Sequence, residues 1–88
     1  MNASLVSPEH FQQAAQAFRQ AGRENEQVGQ QLEAAAAQLL GGWAGLSQEH
    51  FFRDFQEWRR HSQLLARLLA DVAAELEYLA ERYQIADR

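Results

Sequence analysis

From Phe51 to Tyr83 the chain places Phe51, Phe55, Trp58, Ser62, Leu65, Leu69, Val72, Leu76, Leu79 and Tyr83 at alternating spacings of four and three residues, without interruption. That spacing returns side chains to one face of an α-helix at every turn. A strand alternates faces every residue and would scatter the same set over both. A stripe kept up over about nine turns predicts one long helix packed on another with coiled-coil-like geometry. Phe52, Leu64 and Leu68 widen it beyond what a single partner helix covers.

The first half carries the same beat more weakly. Phe11, Phe18, Asn25, Leu32 and Leu39 form one seven-residue line, and Ala14, Ala21, Val28 and Ala35 form a second. Ser7-Pro8-Glu9 is a start signal: a capping hydroxyl, a proline where no amide is needed, and an acid at the positive end of the helix dipole. Leu40-Gly41 is a stop signal, with glycine expected to take the left-handed conformation past the last turn. Gly22 and Gly29 each cost about 1 kcal/mol against alanine. The reading that repays this cost is a small-residue face that lets helix axes approach; the alternative is two tolerated surface positions. Asn25, alone and polar on its line, either sets register or sits where the bundle opens to water.

Between the halves stands LLGGWAGLS, Leu39 to Ser47, the one stretch that departs from helix-former composition. It reads as a hairpin turn: Gly41 and Gly42 end the first helix, Gly45 frees the backbone, and Ser47 is a candidate N-cap. Trp43 is expected to fold back and plug the end. The expected fold is therefore all-α, a two-helix antiparallel hairpin that dimerises into a four-helix bundle. Residues 1–88 form one domain, with helix 1 over about 8–40, a turn over 41–46, helix 2 over about 47–84 and a short tail. Phe11, Phe18, Asn25, Leu32, Leu39, Phe51, Phe52, Phe55, Trp58, Leu65, Leu69, Val72 and Leu76 are the expected packing and dimer-interface positions. Dimerisation is expected because a thin hairpin of 88 residues without cysteine has no staple and too narrow a seam to bury its stripe.

Composition narrows the function classes. Net charge is −4 and all eight basic residues are arginine, a poor basis for the phosphate neutralisation that nucleic-acid binding requires. No apolar run reaches the ~20 residues of a membrane span, and the polar faces are too acidic for a surface-lying amphipathic helix. His10, His50 and His61 share no helical i,i+3 or i,i+4 relation. His50 with Asp54 and Glu57 with His61 are i,i+4 pairs, better read as solvated neighbours than as metal ligands. Arg53, Arg59, Arg60 and Arg67, mixed with Asp54, Glu57 and Asp71, read as a solvated outer face. No serine, histidine and acid grouping nominates a triad, and GGWAG lacks the lysine of a phosphate loop. Neither an enzymatic role nor a cofactor is expected.

Trp43-Ala44-Gly45, in the turn of a helical hairpin, resembles the signature of the WXG family, small substrates of type VII secretion systems similar to the early secreted antigenic target. Phe51 and Phe52 after the turn, and heptad leucines beyond, extend the likeness over the whole chain. Tyr83-Gln84-Ile85-Ala86-Asp87 resembles the family's Tyr-x-x-x-acid export signal. On a helix Tyr83 and Asp87 share a face, where a ring, a hydroxyl and a carboxylate form one patch. The resemblance implies a protein made in the bacterial cytoplasm and exported as a folded dimer, without a cleaved signal peptide. It implies as partners a second copy or a WXG-family paralogue, the membrane-anchored secretion ATPase that reads Tyr83 and Asp87, and a larger co-secreted protein. It also implies that Trp43 and Gly45 form a composite surface with the tail of the other chain. The competing reading is a cytosolic dimerisation or scaffold module, in which Tyr83 is the last core residue of the stripe.

Overall fold

A computed structural model describes residues 6–86, with side chains through 84. The two helices, α1 (Pro8–Leu40) and α2 (Leu46–Ala86), pack antiparallel along their lengths. The rod measures 65 × 18 × 16 Å with a radius of gyration of 19.8 Å, against about 12 Å for a compact chain of this length.

Helix α1 begins as its first residues predict. Ser7 is an extended N-cap and Pro8 occupies N1. The Ser7 amide donates to His10 Nδ1 at 3.0 Å, so histidine fills the place that glutamate or glutamine takes in a capping box. Its end differs from expectation. Gly41 is right-handed (φ −65°, ψ −24°), and the turn's left-handed residue is Gly45, at φ 107°. The reversal is thus made just before α2 rather than just after α1. Gly45 is the N-cap, its carbonyl accepting from Glu49 N–H at 3.1 Å. Ser47, the expected N-cap, lies inside the helix.

The seam is built from small residues. Ala15, Ala36, Ala73 and Ala80 are its buried members, with Phe11, Phe18, Asn25, Phe51, Phe55, Trp58, Leu69 and Leu76 half-buried around them. The stripe does not stay in the seam. Leu32 and Leu39 are exposed while Ala36 is buried, and Leu65 and Val72 are exposed while Ala73 is fully covered. The line of contact there runs through Ala36 and Ala73, one position round each helix from the stripe.

Gly22 and Gly29 do not serve a close approach within the hairpin. A Cβ on Gly22 would meet nothing within 4 Å, and one on Gly29 would stand 3.9 Å from the Trp58 ring, an ordinary contact.

Three cross-ties fix the register. Arg19 donates to both Glu77 oxygens (2.8 and 3.2 Å), and Arg59 to both Glu33 oxygens (2.7 Å each). Between them Asn25 Nδ2 donates to the Ser62 carbonyl at 3.1 Å, and Ser62 Oγ to Asn25 Oδ1 at 3.4 Å. Asn25 thus sets register, and Arg59 leaves the outer face expected for it to brace α1. Such exposed ion pairs add little net stability, but their paired geometry resists sliding of one helix along the other.

Candidate functional site

At the turn, a run of rings begins with Trp43. Its centroid is 5.5 Å from Phe51, Phe51 is 5.9 Å from Phe55, stacked, and Phe55 is 5.5 Å from Trp58. Arg59 lies over Phe55 at 5.2 Å. The indole N–H of Trp43 donates to Ser47 Oγ at 3.3 Å, so Ser47 holds the tryptophan instead of capping the helix. The positive φ of Gly45 turns the chain so that this stack and the start of α2 coexist. Trp43 is half-buried, a plug with one side to solvent.

At the other end Tyr83 rests on Phe11, centroids 5.0 Å apart and planes tilted by 34°. Its exposure is 44%, so the ring is supported on one side and open on the other. Asp87 lies outside the described residues. Tyr78, one turn back, is engaged by Arg82 through a 3.3 Å hydrogen bond and a guanidinium 5.7 Å from the ring. Helix α2 spans 41 residues, so Trp43 and Tyr83 of one chain stand roughly 55 Å apart. The hairpin does not itself bring these two candidate motifs together.

The third element is a face. Val28, Leu32 and Leu39 of α1, and Leu64, Leu65, Leu68 and Val72 of α2, are exposed. At ~100° per residue both sets are displaced from the seam in the same rotational sense along their own helices. In antiparallel helices this places them on one side of the hairpin. Near the turn this side forms an apolar groove of about 240 Å³ lined by Leu32, Leu39, Phe51, Phe55 and Trp58. The Arg19–Glu77 and Arg59–Glu33 pairs are displaced in the opposite sense and lie on the other side. Phe52, exposed at 40%, lies with them, so it widens the stripe away from the leucines and not toward them.

The electrostatics belong to that second side. The hydrogen bonds from Arg19, then its charge, lower the Glu77 carboxyl below its ordinary pKa against opposing desolvation, and Glu77 raises Arg19. The hydrogen bond to Glu33 raises Arg59 likewise. Glu57 is paired to Arg60 at 2.6 Å. Among the described residues no three histidine, aspartate or glutamate side chains gather into a metal-binding group, and no helix is long and apolar enough to cross a membrane.

The cross-ties and the Phe11–Tyr83 contact escaped sequence reasoning, because they depend on the axial register of two helices. The sequence did hold a signal for the buried alanines: Ala73 and Ala80 are themselves a heptad apart.

Solved structures share this architecture. The selenomethionine-labelled secreted protein EsxB of Bacillus anthracis str. Sterne superposes with a TM-score of 0.88 at 25% identity, covering 100% of both chains. Its wild-type form gives 0.87 at 25% identity, over 94% of this chain and 89% of that one. No curated protein sequence matches. The WXG100 family, proteins of 100 residues with WXG, matches over residues 5–88. With Trp43 and Gly45 at the turn between two long helices, the chain belongs to the WXG100 family.

Proposed function

We propose that this chain is a non-enzymatic substrate of a type VII secretion system, leaving the cell as a folded dimer and addressed by Tyr83 and Asp87. The observation that carries the reading is the family match over residues 5–88, with Trp-x-Gly seated in the turn. The likeness to a secreted protein supports it.

The dimer forms through the leucine face. The chain exposes 6737 Å², roughly 1,500 Å² more than a compact monomer of its mass, and a standard interface takes ~800 Å² per partner. The occupant is a second copy or a paralogue with a matching face. An antiparallel pairing of hairpins sets one chain's Trp43 end beside the other's Tyr83 end, supplying the composite surface that one hairpin lacks. The secretion ATPase reads that end, and the dimer serves either as an effector itself or as a carrier for a larger co-secreted protein.

Export from the native host tests the reading. Wild type and Tyr83→Ala are compared in supernatant and pellet, with a cytosolic marker for lysis and with helix content and oligomer mass checked. Wild type outside with a folded mutant retained is the expected result. Retention of both while the host's type VII system is active would favour the cytosolic scaffold.

A further inference from the structure

We propose that Phe11 is a positioning residue for the tail signal: the export machinery reads Tyr83 as it is held against Phe11, a composite of the first helix and the last turns of the second. The inference rests on the reading of Tyr83 as an export signal.

Tyr83 stands three residues beyond the buried Ala80, where α2 still faces α1. Phe11 is the ring it meets, at 5.0 Å. Phe11 is itself set by its place just inside the capped first turn, after Ser7, Pro8 and His10. An aromatic pair at this distance and tilt fixes the ring's orientation beyond what burial alone would do. With 44% of its surface open, Tyr83 is presented without being free to rotate into solvent. A helix end without such support frays, and a frayed tail would offer the same residues in no fixed geometry. Because Phe11 and Tyr83 come from opposite ends of the sequence, the signal exists in this form only on a closed hairpin. An unfolded chain or an open hairpin carries the same letters without the surface.

The test is export from the native host of wild type, Tyr83→Ala, Phe11→Ala, Phe11→Leu, Phe11→Tyr and Leu69→Ala, each checked for helix content, oligomer mass and Tm. Phe11→Ala is expected to fall at least tenfold in the supernatant, to the level of Tyr83→Ala. Phe11→Leu, which keeps apolar volume but not the ring, is expected to fall with it and stands in if Phe11→Ala unfolds. Phe11→Tyr, which keeps the ring, is expected to export like wild type. Leu69→Ala weakens the seam elsewhere and is expected to export despite a lower Tm. Wild-type export of Phe11→Ala or Phe11→Leu beside a retained Tyr83→Ala would overturn the role of Phe11 and leave Tyr83 as the signal. Export that simply tracks Tm across the set, or loss in Phe11→Tyr as well, would overturn it too. Export of Tyr83→Ala would remove the signal reading itself.

Discussion

Gly45 is the residue on which the turn depends. Its φ of 107° is a conformation that a Cβ disfavours, so Gly45→Ala is expected to cost at least about 1 kcal/mol. Gly42→Ala, at a position without a positive φ and with open space around it, is expected to change stability far less. Comparing the two in urea melts checks the assignment. Glu77 supplies a pH dependence of known sign. Its folded pKa is lowered, so the stability it contributes is present above its ordinary pKa and disappears as pH falls through the lowered one. Helicity of wild type and Glu77→Gln should therefore differ near neutrality and converge in acid. At this scale the sequence was only partly legible. Tryptophan and glycine could be placed in the turn because three glycines within five residues interrupt the helix-former composition only there. Which glycine carries the positive φ, and that Ser47 serves Trp43, depend on how the chain enters α2, which no local propensity states.

At the scale of the element, both helices were legible from period and breaks, because four-three spacing and a single glycine-rich interruption leave little alternative. The seam was less so: Leu32, Leu39, Leu65 and Val72 stand on the stripe yet are exposed in the lone hairpin, while Ala36 and Ala73 beside them are buried. This predicts which substitutions matter where. Gly22 points into space able to take a methyl group, so Gly22→Ala is expected to stabilise the hairpin by about 1 kcal/mol through helix propensity alone, seen as a raised Tm at unchanged oligomer mass. Asn25→Leu is expected to keep helix content while loosening register, because the replacement loses both hydrogen bonds to Ser62 that penalise a slipped pairing. Cysteine pairs at matched and slipped positions would report it, with cross-linking spread over both in the variant and confined to the matched one in wild type.

At the scale of the whole molecule, the division into an apolar side and an ion-paired side carries the proposed assembly. Leu65→Asp with Leu68→Asp places two charges in the middle of the apolar face without touching the buried alanines. The expected outcome is loss of the dimer by sedimentation, with helix content falling only as far as the lone hairpin's modest stability requires. Wild-type Tm is expected to rise with protein concentration, since association stabilises the folded form by mass action, and the double variant's is not. The rod also answers to force in a way set by its topology. Its first and last described residues lie at one end and the turn at the other, so a pull on the tail against a held N-terminus does not load the cross-ties together. It opens them one after another: Tyr83 leaves Phe11, then Glu77 leaves Arg19, then Ser62 leaves Asn25, and last Arg59 leaves Glu33. Two helices pulled lengthwise past each other would resist with all of these at once, whereas a hairpin peeled from its open end resists with one. Small, repeated force at this end therefore suffices to unzip a lone hairpin, and the extension recorded in an optical trap is expected to climb in steps at those ties.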